Sequence, residues 1–172
     1  MTKFSPLPPL ERLQEVFEVD DEGRLYWKER TARRIIVGKE ITGKTSAGYI
    51  RVKLDGKFYL GHRLVWLLVH GEDPGKMQVD HVNGDRVDNR PSNLRLCSNR
   101  QNLLNTKIRS DNKSGIKGVC FTPCRSKAKP WIAQYKNKRL GRFATKEEAV
   151  NAIRDAVERC DDKDFYRNDM IG

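Results

Sequence analysis

Asp80 and His81 stand side by side in "VDHVNGDRVDNRPSNLRLCSNRQN", Val79 to Asn102, where asparagines and arginines outnumber apolar residues. A carboxylate beside an imidazole, with amides downstream, could hydrolyse a phosphodiester. That reaction needs a deprotonated water, a cation to absorb charge on the phosphate and leaving oxygen, and geometry that holds them in line. A neutral imidazole, titrating ordinarily near pH 6.5, is a competent general base around neutrality. Asp80 offers the hard carboxylate oxygen that Mg²⁺ or Mn²⁺ prefers, and a downstream asparagine side-chain carbonyl could be a second oxygen ligand. So few protein ligands would leave waters and substrate phosphate to complete the coordination.

Positioning these groups puts demands on the elements around them. Neighbouring residues on a strand point to opposite faces, so Asp80 and His81 can serve one phosphate only at a strand end, where the chain can bend. "MQVDH" predicts a short strand, Val82 to Asn93 a polar loop built around Asn83-Gly84, and "LRL" a second strand. Ser98 and Gln101 fit a capping box that starts a helix over Asn99 to Asn105. That helix must pack across the strands to bring Asn102 toward Asp80. Upstream, "SPLPPLERLQEVFEVD" predicts a proline-started helix with Leu10, Leu13, Val16 and Phe17 at helical spacing. "GRLYWKE" predicts a strand. "GYIRVKLDGKFYLGHR" predicts a hairpin turning at Asp55-Gly56, and "RLVWLLVHGEDPG" a short buried helix stopped by Gly71 and Pro74.

The chain has 172 residues and a formal net charge of +11, which points to a polyanionic partner, nucleic acid before membrane surface. Residues 1 to 60, 61 to 105 and 106 to 172 carry +3, +1 and +7, and positions 106 to 142 hold 11 Lys or Arg against one acid, Asp111. The segment 106–115, "TKIRSDNKSG", suits a linker lying on phosphates. Cys97, Cys120, Cys124 and Cys160 form no Cys-x-x-Cys pair, so no structural zinc is expected and reduced thiols are. The longest apolar run, Leu64 to Val69, cannot span a bilayer, which leads to an expectation of a cytoplasmic protein.

The segment "HRLVW" followed by "VDHVNGDRVDNRPSNLRLCSNRQN" resembles the HNH endonucleases of phages and mobile introns over His62 to Asn105. The resemblance implies a ββα-metal core in which His81 is the general base and Asp80 and Asn102 are ligands of one Mg²⁺ or Mn²⁺. Asn93 is then the middle asparagine that braces the loop behind the base. In this chain the last ligand position is Asn102 where many relatives have His, and the flanking zinc-binding cysteine pairs are absent. Asn83 and Asn89 are accounted for by turn chemistry, His62 by a structural place at the start of the buried helix, and His70 by interaction with that helix's C-terminus.

Downstream, "KGVCF", "WIAQYK" and "RLGRF" predict three strands. Thr145 to Glu148 predicts a capping box leading a helix striped by Ala149, Ala152, Ile153, Ala156 and Val157. The pieces "KGV", "WIAQY" and "LGRFAT-KEEA" are similar to the apetala-two/ethylene-response-factor DNA-binding domain over Ser114 to Arg159. That resemblance implies a sheet lying in the DNA major groove with the helix behind it. Trp131, Ala133 and Tyr135 would face the helix, and Ile132, Gln134 and Lys136 the DNA. Lys117, Arg125, Gln134, Lys136 and Arg142 are the expected DNA contacts.

The expected fold class is therefore α+β: an N-terminal helix and hairpin region (1–61), an HNH nuclease motif (62–105), a basic linker (106–115) and a three-stranded antiparallel sheet on one helix with a tail (116–172). The expected function is site-preferring, metal-dependent cleavage of double-stranded DNA, nicking one strand as a monomer because the chain holds one Asp-His-Asn constellation. No membrane and no obligate protein partner is expected, and a phage-borne gene would place the protein in the bacterial host's cytoplasm. The alternative is a DNA-binding regulator whose nuclease module is only scaffolding.

Overall fold

The computed structural model describes residues 6–106, 108, 112–123 and 128–161. The chain divides into two compact units, residues 1–99 and 100–172. Among the described residues the elements are helices and small antiparallel sheets, three of two strands and one of three.

The first unit opens with helix α1 (Leu10–Val16), which starts after Pro9 and buries Leu13 and Val16. Phe17, expected as the last residue of the helical stripe, instead begins strand β1 (Phe17–Val19). Its ring packs on Trp27, centroids 4.8 Å apart, across the pairing with β2 (Leu25–Trp27). An aromatic residue that can bury itself cross-strand gains more there than in one further helical turn. Strands β3 (Arg51–Leu54) and β4 (Lys57–Leu60) form the expected hairpin, with Val52 and Leu54 buried. Asp55 and Gly56 both have positive φ, 47° and 79°, the pattern of a two-residue type I′ turn.

Helix α2 (Gly61–His70) follows, ending at Gly71 in the left-handed conformation. Strand β5 (Gln78–His81) then pairs antiparallel with β6 (Leu94–Cys97), and a 3-10 turn at Pro91–Asn93 closes the loop between them. Leu13, Phe17, Leu25, Val52, Leu64, Val65, Val79 and Leu94 belong to one continuous core. The region before Gly61 and the β5–β6 hairpin are thus held by the same apolar cluster. Arg63 reinforces it, donating to the carbonyls of Met77 and Gly75 and so pinning the 71–77 connection to α2.

Helix α3 (Asn99–Leu104) ends one residue earlier than expected, with Asn105 in a turn onto the Asn102 carbonyl. In the second unit, β7 (Val119–Phe121), β8 (Trp131–Tyr135) and β9 (Lys138–Phe143) form an antiparallel sheet in the order β7-β8-β9. Helix α4 (Lys146–Glu158) covers one face, burying Ala149, Ile153 and Val157 against Val119, Ala133 and Tyr135. Both halves of its capping box form: the Thr145 hydroxyl accepts from the Glu148 amide, and the Glu148 carboxylate accepts from the Thr145 amide. Lys136, expected on the strand, lies instead in the β8–β9 turn, where Lys136 and Asn137 have φ of 48° and 63°. The strand ends at Tyr135 because "KNK" must reverse the chain in two residues, and Asn tolerates the left-handed region.

Candidate functional site

Strand β5 ends at His81, and the chain turns at once, the Gly84 amide donating to the His81 carbonyl and the Val82 amide to the Asn93 carbonyl. The adjacent pair therefore sits at a strand end, where the chain bends. Asp80 is 8% exposed and His81 4% exposed. Register places Arg95 of β6 opposite Asp80, and its guanidinium binds Asp80 Oδ2, with Nη2 at 3.1 Å. This buried charge has a cationic neighbour, without which its desolvation would be costly.

The loop from Val82 to Asn93 is held by side-chain amides in place of apolar contacts. Asn93 Oδ1 accepts from the Asn83 amide at 3.0 Å, and Asn93 Nδ2 donates to Asn83 Oδ1 at 3.0 Å and to the Asp88 carbonyl at 2.7 Å. Asn83 Nδ2 also donates to Asp88 Oδ2 at 2.8 Å, and Arg90 grips the same carboxylate through Nε and Nη2. The hydrogen bonds from Arg90 hold the Asp88 carboxyl down at about 2, with the Asn83 amide adding to the effect.

The residue that reaches the His81 ring is Asn89: its Oδ1 lies 3.0 Å from His81 Nε2, and Asn89 is itself only 4% exposed. Turn chemistry does not account for this buried contact. The His62 ring meets His81 edge-on at 5.0 Å between centroids, and Tyr49 packs on both at 5.2 and 6.0 Å. Arg86 lies over the Tyr49 ring at 5.0 Å. His62 is buried and its Nδ1 makes no hydrogen bond among the described residues. Burial, with the His81 and Arg63 charges second, pushes its pKa down to about 3, so it is a neutral wall beside His81. The sequence carried no signal for these packing contacts. The signal for Arg95 was the antiparallel pairing of "LRL" with "VDH". His70 stacks on Trp66 at 3.9 Å, in the last turn of α2.

Asn102 lies on α3, in the second unit. Among the described residues no group of three or more His, Cys, Asp or Glu side chains could hold a metal ion. A carboxylate joined by an amide oxygen is a different kind of donor set, one that leaves most positions to water and phosphate.

Elsewhere in the second unit, Cys120, Ile132 and Arg142 are register partners across the sheet, as are Gln134 and Arg139. These alternate with Val119, Ala133 and Tyr135, which pack on α4, so they lie on the opposite sheet face. Gln134 is exposed and Arg142 donates to the Lys129 carbonyl at 3.3 Å. Lys136 Nζ contacts Cys160 Sγ and lies 5.5 Å from the Tyr135 ring centre. The Lys117 ammonium donates to the carbonyls of Leu103, Leu104 and Thr106 at 2.8–2.9 Å, closing the C-terminal end of α3. Arg125 lies outside the described residues. A groove of about 1110 Å³ runs beside this sheet, with Arg100, Lys113, Lys117, Phe121 and Gln134 among its walls.

Residues 59–104 match the family model described as HNH endonuclease. A 65-residue stretch is 38% identical to an uncharacterized HNH endonuclease, L560, of Acanthamoeba polyphaga mimivirus, covering 37% of this chain and 34% of that protein. A 61-residue stretch is 33% identical to protein 3.8 of Escherichia phage T7, covering 36% and 50%. The chain thus spans about a third to a half of the length of these relatives. Among solved structures, one of the HNH homing endonuclease I-HmuI, concerned with DNA binding and cleavage, is 24% identical with a TM-score of 0.41, covering 56% of this chain and 54% of that one. No helix of the described residues is long and apolar enough to cross a membrane.

Proposed function

We propose that this chain is a metal-dependent endonuclease that cuts double-stranded DNA with site preference, the Asp80–His81 strand end being its active site. The observation that carries the proposal is a coincidence of position. The HNH-matching segment contains the one place among the described residues of the first unit where a carboxylate and an imidazole are adjacent, buried and braced. In this reading His81 takes the proton from the attacking water, and Asn93 keeps the loop behind it in shape. Arg95 holds the Asp80 carboxylate in one orientation. Asn102 is proposed as the second oxygen ligand on the strength of the resemblance.

The donors suit a hard divalent cation. Asp80 would supply an anionic oxygen and Asn102 a neutral one. Mg²⁺ dehydrates reluctantly and is ordinarily held by one or two carboxylates with waters and substrate phosphate, and Mn²⁺ accepts the same oxygens. When bound, such an ion neutralises charge building on the phosphate and leaving oxygen. One ion per active site is proposed.

The sheet face carrying Gln134, Arg139 and Arg142 is proposed as the part that selects DNA sequence, in the manner of an apetala-two/ethylene-response-factor domain. Gln can pair with adenine in the major groove, and Arg with guanine or phosphate. Lys117, Lys136 and Arg125 are proposed contacts as well, the first two having to exchange an internal partner for phosphate. The proposed domain limits are 1–61, 62–105, 106–115 and 116–172, with 106–115 tracking the DNA backbone. With one such site per chain, a monomer nicks one strand.

Purified protein on supercoiled plasmid with Mg²⁺ should produce nicked circles, and EDTA should stop it. His81→Ala should lower the rate by about 10²–10⁴, the contribution of a positioned general base. Cleavage unchanged in His81→Ala, or tight binding without cleavage by either protein, would overturn the assignment in favour of a DNA-binding regulator. Linear product that appears without nicked circles would overturn the single-strand mode.

A further inference from the structure

The contact between Asn89 and His81 has a chemical direction. An amide oxygen only accepts hydrogen bonds, so the His81 nitrogen 3.0 Å from Asn89 Oδ1 must be the one carrying hydrogen. A neutral imidazole has a single N–H. With that hydrogen on Nε2, the lone pair is on Nδ1.

Asn89 is held so that it cannot adjust. The residues on either side of it are locked, Asp88 by Asn83, Asn93 and Arg90, and Arg90 by its double grip on Asp88. Behind it lie two glycines. A Cβ on Gly23, in the turn between β1 and β2, would sit 2.0 Å from the Asn89 carbonyl oxygen, and one on Gly61 would sit 3.5 Å from Asn89 Nδ2. Both His81 and Asn89 are buried, which keeps water from substituting for either partner.

We propose that Asn89 is a positioning residue that fixes the tautomer of His81, holding the proton on Nε2 so that Nδ1 is the nitrogen that receives a proton from the attacking water. The turn at Gly23 is the support that keeps Asn89 in place, which gives the N-terminal region a part in the chemistry. This rests on the nuclease reading for its catalytic meaning, though the tautomer can be observed without any reaction. In the proton transfer the water O–H bond breaks, its electron pair stays on the attacking oxygen, and the Nδ1 lone pair takes the proton to give an imidazolium. Asn89 still accepts from Nε2–H of that imidazolium, so the bond persists through the step.

The test uses the full chain with ¹⁵N-labelled histidine. Long-range ¹H–¹⁵N spectra distinguish protonated from lone-pair ring nitrogens, and His81→Ala identifies which of the three histidine rings is His81. In the neutral imidazole form, wild type should show His81 protonated on Nε2. Asn89→Leu should give a mixture of tautomers and a cleavage rate lower by between about tenfold and a hundredfold, within the range a general base contributes, with DNA affinity unchanged. Asn89→Asp keeps an oxygen at the same reach, and should restore the Nε2–H tautomer and recover most of the lost rate. A wild-type His81 protonated on Nδ1, or an Asn89→Leu ring with the wild-type tautomer, would overturn the positioning role and leave the nuclease reading standing. Cleavage indifferent to His81→Ala would overturn the nuclease reading whatever the tautomer, and with it the catalytic meaning of Asn89.

Discussion

Replacing Gly23 by alanine asks how much of the first unit's stability depends on the support behind Asn89. Two effects are expected, and they can be separated. Gly23 has φ of +70°, where an L side chain costs about 1 kcal/mol. The added Cβ would also meet the Asn89 carbonyl oxygen at 2.0 Å, whereas ordinary contact starts at 3.4 Å. One backbone or the other must therefore move by more than an ångström, and because neighbouring backbone cannot rotate away as a side chain can, the Asn89–His81 bond is lost with it. A buried polar pair broken in this way costs on the order of 2 kcal/mol, for a total of roughly 3 kcal/mol. Gly56→Ala is the matched control, since φ there is +79° but nothing lies within 4 Å of the new Cβ. It should cost only the conformational part, about 1 kcal/mol. Native-state hydrogen exchange at amides of α2, whose Leu64 and Leu67 are in the first unit's core, reads that unit's opening free energy separately from the second unit's. Losses for the two variants that agree within about 0.5 kcal/mol, the usual scatter of innocuous substitutions, would refute the claim that Gly23 supports the loop.

Asp88 has a folded pKa of about 2 against an ordinary value near 3.8, so its ionised form stabilises the protein above about pH 4, and that contribution is lost as pH falls toward 2. Asp88→Asn should therefore be less stable than wild type at neutral pH, with the gap closing below pH 4 in acid-unfolding curves followed by circular dichroism. Burial pushes the Cys97 thiol up to about 11, whereas Cys120 is exposed, so a thiol reagent at pH 8 should modify Cys120 well before Cys97 by mass mapping. Thr145→Ala removes half of the α4 capping box and should cost about 1 kcal/mol in the second unit, read by hydrogen exchange at Ile153.

Most elements of both units were legible because their signals are local. Asp55-Gly56 specifies its turn through backbone conformation alone, and Thr145 with Glu148 specifies the start of α4 through hydrogen bonds spanning three residues. The end of α1 was not legible, because Phe17 fits a helical stripe and a cross-strand aromatic pair equally well until Trp27 is known to lie opposite. Lys136 was placed on a strand face by extending the alternation one residue beyond Tyr135, into a turn whose shape depends on where β9 begins. At the candidate site, Asp80 and His81 could be picked out by residue type. Asn89 could not, because asparagine beside a turn is ordinary, and its contact to His81 exists only once a twelve-residue loop has folded back on itself. Its dependence on Gly23 spans 66 positions, a distance over which no spacing rule operates.

The shared core has a consequence for how this motif can be moved between proteins. The matched segment begins at residue 59, yet Leu64, Val65, Val79 and Leu94 are covered in part by Leu13, Phe17 and Leu25, and the loop that carries Asn89 rests on residue 23. A graft of 59–104 into another scaffold would carry the recognisable residues and leave behind part of their burial. A recipient must bring its own apolar cover and its own close-fitting turn, so recombination that preserves the motif has to cut upstream of α1 and not at the motif's edge.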